Sequence, residues 1–308
     1  MKILAIESSH DDTSISLYEN REVIEEITIS QTEFHKKFGG TVPEYASRNH
    51  SETIIKILEK MMSKYNLNEI DHIAYTKMPG LVGSLHVGRT FAYALGFSLD
   101  KRVIGINHMH GHIFAAAFNN DIAYPAIALI VSGGHTQLWK LESPKSEDIT
   151  LIGETKDDAV GEVFDKVSRK LGLGFPGGPA IDKIAKEGTN SIDFNINNDN
   201  TYNFSFSGIK TKIFNYINKN KQMGETLDLP SICNSFQEAI LKPLIIKTKR
   251  AIDEFNPSSL ILGGGVSANS RLRELVSNMH ENALIPEIKY TTDNASMIAI
   301  TSDLQYNY

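Results

Sequence analysis

Residues 126–141 read AIALIVSGGHTQLWKL: an unbroken apolar run from Ala126 to Val131, the tight turn Ser132-Gly133-Gly134-His135, and a returning strand from Thr136 to Leu141. A short apolar run bounded by a Gly-rich turn reads as a buried strand. The same order of features opens the chain. Lys2 to Ile6 is a buried strand, Glu7 to Asp12 a polar turn, and Thr13 to Tyr18 a second strand. Two copies of a β-hairpin with a phosphate-sized turn, each opening an α/β half, predict two similar domains facing each other. Glycines in such a turn let backbone N–H groups converge on an anion. A composition break at Asn119-Asn120-Asp121, with Pro125 behind it, sets the expected boundary: 1–122 and 123–308, the last helix (293–302) packing back on the first domain.

The bulk numbers agree with two domains. The chain has 308 residues, 41% of them hydrophobic and 22% charged, the profile of a soluble globular protein. A net charge of −6 supplies no global basic field, so nucleic acid would be held through local patches. Lys36-Lys37, Lys166/Arg169/Lys170, Lys210/Lys212, Lys242/Lys247/Lys249/Arg250 and Arg271/Arg273 are the candidates, though such a cluster is more often just a solvated face. The single cysteine, Cys233, excludes an internal disulfide framework and a multi-Cys zinc site and reads as packing. No signal-peptide pattern and no apolar run of membrane-spanning length occurs, so a cytoplasmic protein with no membrane partner is expected.

Between the hairpins the pattern alternates strand and helix. Val23 to Ser30 reads as a strand, and Gly39-Gly40-Thr41-Val42-Pro43 breaks the chain before a helix from Glu44 to about Tyr65. Its expected core stripe is Ile54, Ile55, Leu58, Met61 and Met62. A strand from Ile70 to Thr76, a turn at Pro79-Gly80, a helix from Val82 to Phe97 and a strand from Arg102 to Ile106 follow. In the second half, a helix from Asp158 to Leu171 carries Glu162 and Asp165, and Gly172 to Pro179 is a Gly-rich loop between helices, with Asp182 on the next helix. Such glycine density implies close backbone approach to something. Asn190 to Asn203 reads as an exposed, mobile insertion, and Phe204 to Gly208 leads into a helix carrying Lys210 and Lys212. A helix from about Pro230 to Phe255 contains Pro243, which should kink or divide it. The strand Leu260-Ile261-Leu262 runs into Gly263-Gly264-Gly265-Val266-Ser267-Ala268-Asn269 and then a helix. Strand, Gly-rich turn and helix N-terminus make a nucleotide site, yet neither the dinucleotide fingerprint nor a P-loop is present.

The chemistry concentrates in Asn107-His108-Met109-His110-Gly111-His112. On a helix, residues four apart stack on one face, so His108 and His112 can share one metal ion while His110 points away. The competing reading is a polar helix start. The Glu7 to Asp12 turn is either a solvated tip or a phosphate or metal-water site, and Asp293 is either an N-cap or a third metal ligand.

Taken together, nine stretches resemble one family. They are Glu7-Ser8-Ser9-His10-Asp11-Asp12-Thr13, Pro79-Gly80-Leu81-Val82-Gly83, His108 to His112, Val131-Ser132-Gly133-Gly134-His135-Thr136, Gly161 to Lys166, Pro176-Gly177-Gly178-Pro179, Phe204 to Gly208, Gly264 to Asn269 and Thr292-Asp293-Asn294. The chain resembles the TsaD family of tRNA adenosine N6-threonylcarbamoyltransferases, formerly labelled O-sialoglycoprotein endopeptidases. The resemblance implies an α/β fold of the actin/Hsp70/sugar-kinase (ASKHA) type, with two duplicated domains and a cleft between them. It implies transfer of threonylcarbamoyl from threonylcarbamoyl-AMP to N6 of adenosine at tRNA position 37, in tRNAs reading codons that start with A. By the same resemblance His108, His112 and Asp293 are the metal ligands, with iron (Fe2+) favoured and zinc possible. Ile130, Val131, Ser132, Gly133, Gly134, Asp165, Gly178, Asp182 and Asn269 match the adenylate-binding positions, and Asp11 is the candidate proton acceptor. A TsaB-like paralogue and a TsaE-like ATPase are the implied partners. The chain departs from the family pattern at His10 for Cys, Asp12 for Glu, Met78 and Ala295 for glycines, and in a short C-terminus. Two alternatives, a metallopeptidase and a kinase of the same fold, are disfavoured by the residues. Met109 stands where a zincin needs its Glu base, and a kinase leaves His108, His112 and Asp293 unexplained.

Overall fold

The computed structural model describes residues 1–38, 40–194 and 199–306. The chain divides into two compact units: Met1–Asn120 with Pro144–Ser146 and Pro286–Tyr308, and Asp121–Ser143 with Glu147–Ile285.

The first unit is built on β1 (Lys2–Glu7), β2 (Asp12–Glu19), β3 (Glu22–Ser30), β4 (His72–Met78) and β5 (Arg102–Asn107). They form one sheet in the order β3-β2-β1-β4-β5, with β1, β2 and β3 antiparallel and β1, β4 and β5 parallel. Its helices are α1 (Thr32–His35), α2 (Pro43–Met62), α3 (Val82–Leu99) and α4 (His108–Phe114). Leu4, Ile6, Ile15, Leu17, Ile73 and Tyr75 from the sheet pack with Ile54, Ile57 and Met61 from α2. The expected α2 stripe is therefore shifted. Ile55 and Met62 are 52% and 56% exposed, and Ile57 is buried in their place. The buried line is Ala46, His50, Ile54, Ile57 and Met61, stepping by three and four residues. Ile55 and Met62 each lie one residue, about 100°, off it.

The second unit repeats the plan. The strands β6 (Ala126–Val131), β7 (Thr136–Leu141), β8 (Ile149–Glu154), β9 (Ser259–Gly263) and β10 (Ala283–Leu284) form a sheet in the order β10-β9-β6-β7-β8. With β6 laid on β1, the order and sense of all five strands coincide: two antiparallel neighbours on one side, two parallel on the other. β8 and β10 are additions to the sequence reading. The helices are α5 (Val160–Leu171), α6 (Gly177–Ala185), α7 (Ser207–Gln222), α8 (Leu229–Phe255) and α9 (Ser270–Ser277).

Two expectations in this unit need correction, and a third, the exposed Asn-rich stretch, is qualified at its described ends. Pro243 lies inside α8, which runs undivided over 27 residues. Ile240, Leu241, Pro243 and Leu244 are all buried, so packing holds the helix through the hydrogen bond that proline forfeits. The Gly-rich segment is not all loop, because α6 begins at Gly177. In the Asn-rich stretch, residues 195–198 lie outside the described residues, but the described ends are tied down. Phe194 is 2% exposed, and the Ser191 and Ile192 N–H groups each donate to Ser235 Oγ at 3.1 Å. Lys247, 3% exposed, pairs with Asp199 at 2.5 Å.

The last helix, α10 (Ala295–Tyr306), belongs to the first unit. Ser296 Oγ and Ser16 Oγ hydrogen-bond at 2.8 Å, and Tyr18 Oη donates to Asp303 at 2.6 Å. Among the described residues no helix is long and apolar enough to cross a membrane.

Candidate metal centre and nucleotide site

In the first unit, β5 ends at Asn107, whose side chain accepts from the Met109 N–H at 2.8 Å and caps α4. That cap starts the helix at His108, so His108 and His112 fall one turn apart. Their rings sit 4.7 Å apart, both buried. Asp293, just before α10, points its Oδ1 at them, 3.5 Å from His108 Nε2 and 3.2 Å from His112 Nε2. The ligand atoms of the three residues lie within 4.8 Å of one another. Asp293 is not the cap of α10: Asn294 takes that task, its Oδ1 accepting from the Met297 N–H at 2.8 Å. The Asp293 carboxylate is thus left to the histidines. Ala295 fits the helical turn and donates its N–H to Ser14 Oγ at 3.0 Å.

Glu7, at the end of β1, is fully buried. Its Oε2 lies 3.0 Å from His108 Nδ1 and accepts from Thr76 Oγ1 at 2.5 Å, and its Oε1 accepts from the Ser9 N–H at 2.5 Å. A carboxylate can only accept, so Glu7 holds a proton on His108 Nδ1, which leaves Nε2, on the Asp293 side, as the nitrogen that would give up its proton to take a metal ion. Burial pushes the Glu7 carboxyl up, but the His108 ring against it prevails and holds it below the usual range. For His108 burial acts downward, and Glu7 and Asp293 outweigh it, raising the imidazole to about 9. Burial also raises the Asp293 carboxyl, and the two histidines more than reverse that. His112 has both ring nitrogens buried without a hydrogen-bond partner, although Nε2 faces Asp293. A buried, unsatisfied imidazole nitrogen beside a second imidazole and a carboxylate is the donor set a transition metal takes. The residues therefore fit a metal ion.

His110 stands apart, as the helical phase predicts. Its Nδ1 meets Gln305 Nε2 at 3.1 Å, and burial lowers its pKa to about 4. Asp11 is half-buried, and its carbonyl accepts from the Gln31 N–H at 2.9 Å. Beside it, burial pushes the Asp12 carboxyl up to about 7, and its Oδ1 has no hydrogen-bond partner. His10 contributes its carbonyl, which accepts from His50 Nε2 at 2.9 Å. The sequence offered the Glu7 to Asp12 turn as a phosphate or metal-water site without singling out Glu7 as the partner of His108, and Thr76 was read only as a strand end.

The nucleotide candidates all lie in the second unit. The Ser132 turn is closed by Ser132 N–H to the His135 carbonyl at 2.8 Å and His135 N–H to Ser132 Oγ at 3.1 Å. Gly133 and Gly134 face open space. Ile130 and Val131 are fully buried in β6, so only their backbone can serve a ligand. Helix α5 abuts the turn at Gly161, where a Cβ would stand 2.7 Å from the Ser132 carbonyl and 2.8 Å from Gly133 Cα. Gly264, at φ +83°, brings the β9 turn against Val131 in the same way. Asp165 Oδ1 accepts from the Gly177 N–H at 2.7 Å, fixing the start of α6 beside Gly178. Burial raises the Asp165 carboxyl. On α6, Asp182 accepts from Ser270 Oγ at 2.9 Å and Ser270 N–H at 3.2 Å. Asn269 caps α9 through the Leu272 N–H at 2.9 Å and donates Nδ2 to Gln237 at 2.8 Å. A cavity of about 590 Å³ opens beside these groups, with Gln237, Glu238, Ser270 and Arg271 in its wall. Asp165, Gly178, Asp182 and Asn269 are thus joined through one hydrogen-bonded set of helix starts.

The tRNA N6-adenosine threonylcarbamoyltransferase (TsaD) family model matches residues 22–300. Proteins of that name from Mycoplasma mobile (50% identical, 100% of this chain and 99% of the relative) and Staphylococcus saprophyticus (44%, 96% and 89%) align along the chain. Among solved structures, HypF from T. kodakarensis superposes with TM-score 0.63 at 12% identity, over 98% of this chain and 49% of that one. The activator of the 2-hydroxyisocaproyl-CoA dehydratase from Clostridium difficile, with bound ADPNP, gives 0.57 at 12%, over 97% and 93%. At such identities the likeness shows the fold alone, the actin/Hsp70/sugar-kinase type expected from the sequence. With the family model spanning both units and full-length relatives at half identity, the chain belongs to the tRNA N6-adenosine threonylcarbamoyltransferase family.

Proposed function

We propose that this chain transfers the threonylcarbamoyl group of threonylcarbamoyl-AMP to N6 of the adenosine at tRNA position 37. The observation that carries the reading is the meeting of His108, His112 and Asp293 in a chain of this family. In the reaction a bond forms between N6 and the carbamoyl carbon, the bond from that carbon to the AMP phosphate oxygen breaks, and N6 gives up a proton. The adenine amine is a weak nucleophile and AMP a good leaving group, so the protein chiefly orients the reactants and stabilises charge on the carbamoyl oxygens. A divalent ion held by His108, His112 and Asp293, iron favoured and zinc possible, supplies Lewis acidity. The Ser132-Gly133-Gly134 turn offers its N–H groups to the phosphate, Asp165 and Asp182 suit the ribose hydroxyls, and Asn269 suits the adenosine end. Asp11 is the proposed proton acceptor. A TsaB-like paralogue and a TsaE-like ATPase are the proposed partners, and the cytoplasm the proposed location.

Purified protein, supplied with its metal, partners, threonylcarbamoyl-AMP and unmodified tRNA, is expected to release AMP and yield the modified nucleoside. His108→Ala/His112→Ala should abolish product, and undiminished product from that variant would sink the metal-centred reading. No product from the wild type would sink the activity itself.

A further inference from the structure

Several of the basic residues that the sequence singled out are spent on ion pairs. Lys166 and Lys210 both pair with Asp158, Lys247 with Asp199, and Arg271 with Glu238 and Glu274. The first unit carries a different set. Lys77 on β4, Arg89 on α3 and Arg102 on β5 are exposed, and among the described residues none has a carboxylate ion-pair partner. These three cations line one groove of about 380 Å³ with Tyr75, Tyr93 and Tyr306, and among the described residues no acidic side chain lines it. The Arg89 guanidinium lies over the Tyr93 ring at 5.8 Å, and Arg102 over Tyr306 at 5.9 Å. Tyr93 and Tyr306 are 49% and 43% exposed. Gly105 keeps the floor low, since a Cβ there would sit 3.0 Å from the Tyr75 hydroxyl.

We propose that this groove, on the open edge of the first sheet, holds a stretch of tRNA backbone with an unstacked base beside it. The inference rests on the tRNA reading above and adds a contact surface to it. Three cations without a carboxylate partner among the described residues, in an otherwise acidic chain, attract phosphates, and half-exposed tyrosines with guanidinium planes on them offer faces for base stacking. The position suits the chemistry. β5 passes along the groove and delivers the chain to His108 only three residues after Gly105. At about 3.3 Å per residue that is roughly 10 Å, so nucleotides flanking a reacting adenosine come within reach.

The test is binding of unmodified tRNA to the metal-loaded, full-length chain across a salt series. Each lost phosphate contact should reduce the log–log salt slope by about 0.7 to 0.9. Lys77→Ala/Arg89→Ala/Arg102→Ala should therefore flatten it by about 2 and weaken binding at low salt at least tenfold. Tyr306→Ala should weaken binding roughly tenfold with the slope unchanged, and Arg89→Lys/Arg102→Lys should keep the slope. In transfer assays the triple variant should raise KM for tRNA and leave kcat in place. Wild-type slope and affinity in the triple variant would overturn the proposal. So would a triple variant that loses inorganic polyphosphate and tRNA equally while Tyr306→Ala changes nothing, which would make the groove a general anion patch. Failure of the wild type to bind tRNA at any salt would instead overturn the tRNA reading and the groove together. Metal and threonylcarbamoyl-AMP binding, measured in parallel and expected unchanged in the variants, separate loss of the groove from loss of the fold.

Discussion

Glu7 decides how His108 can act. Fully buried and held by Thr76, Ser9 and His108 at 2.5 to 3.0 Å, it keeps a proton on Nδ1 and fixes the ring's orientation, leaving Nε2 for an ion. His112 has no such support, since both its ring nitrogens lack hydrogen-bond partners. The two ligands are therefore unequal, and Glu7→Gln is expected to weaken metal binding by about 10- to 100-fold. Competition against a chelator of known affinity measures this, and wild-type affinity would show that the contact is only structural. Replacing Asn294, by contrast, removes a helix cap. Asn294→Ala should cost about 1 kcal/mol in thermal unfolding, and only a larger loss of metal than of stability would show that the cap also positions Asp293.

Among the elements, the packing of helix starts against strand ends shapes the nucleotide site. Gly161 permits α5 to touch the Ser132 turn, with no room for a methyl group against backbone atoms 2.7 and 2.8 Å away. Gly161→Ala should push the helix from the turn, costing about 1–3 kcal/mol of stability by overpacking. Donor binding should fall with it, while metal binding in the other unit stays. Calorimetric unfolding together with titration of a non-hydrolysable donor analogue reads both effects, and unaltered donor affinity would show that the turn's position is not critical. At this scale the sequence was read well where period and punctuation agree, as at β1, β2, β6 and β7. It was misread at α2, where Ile55 and Met62 are as apolar as Ile54 and Ile57. Only the helix that packs there decides which side counts as inside. Pro243 was misread for the same reason: burial of its neighbours overrides a local cost.

Across the whole molecule, two units share a five-strand plan, and buried histidines gather in one of them. His72 lies in the first unit at 5% exposure, its Nε2 2.8 Å from Ser302 Oγ, with Asp71, Arg102, Asp303 and the N-terminus as the charged groups around it. Burial depresses it to about 4 from an ordinary 6.5, and His50 shifts the same way. Between those values the unfolded chain binds a proton that the native state refuses. The contribution is therefore complete above about 6.5 and is lost as pH falls toward 4, by up to about 3 kcal/mol for His72. Trp139 lies in the second unit, so its fluorescence does not follow this event. Hydrogen exchange of β1 and β4 across that pH range does, and His72→Gln should flatten the dependence. Protection that is independent of pH in the wild type would refute it.

By itself the sequence determined the duplicated hairpins, the alternation of strands and helices, the phase that separates His110 from His108 and His112, and the family. Each is written in local spacing or in motifs, and spacing alone fixes which face of a helix or strand a residue takes. The tertiary structure decided that Asp293, 181 residues beyond His112, turns toward the histidines instead of capping α10. It also decided that Glu7 supports His108 across 101 residues, and that Lys77, Arg89 and Arg102 share one groove. A carboxylate or a cation has the same local pattern whether it is solvated, capping or ligating. Its role is set by what the packing of distant elements places within about 3 to 4 Å of it.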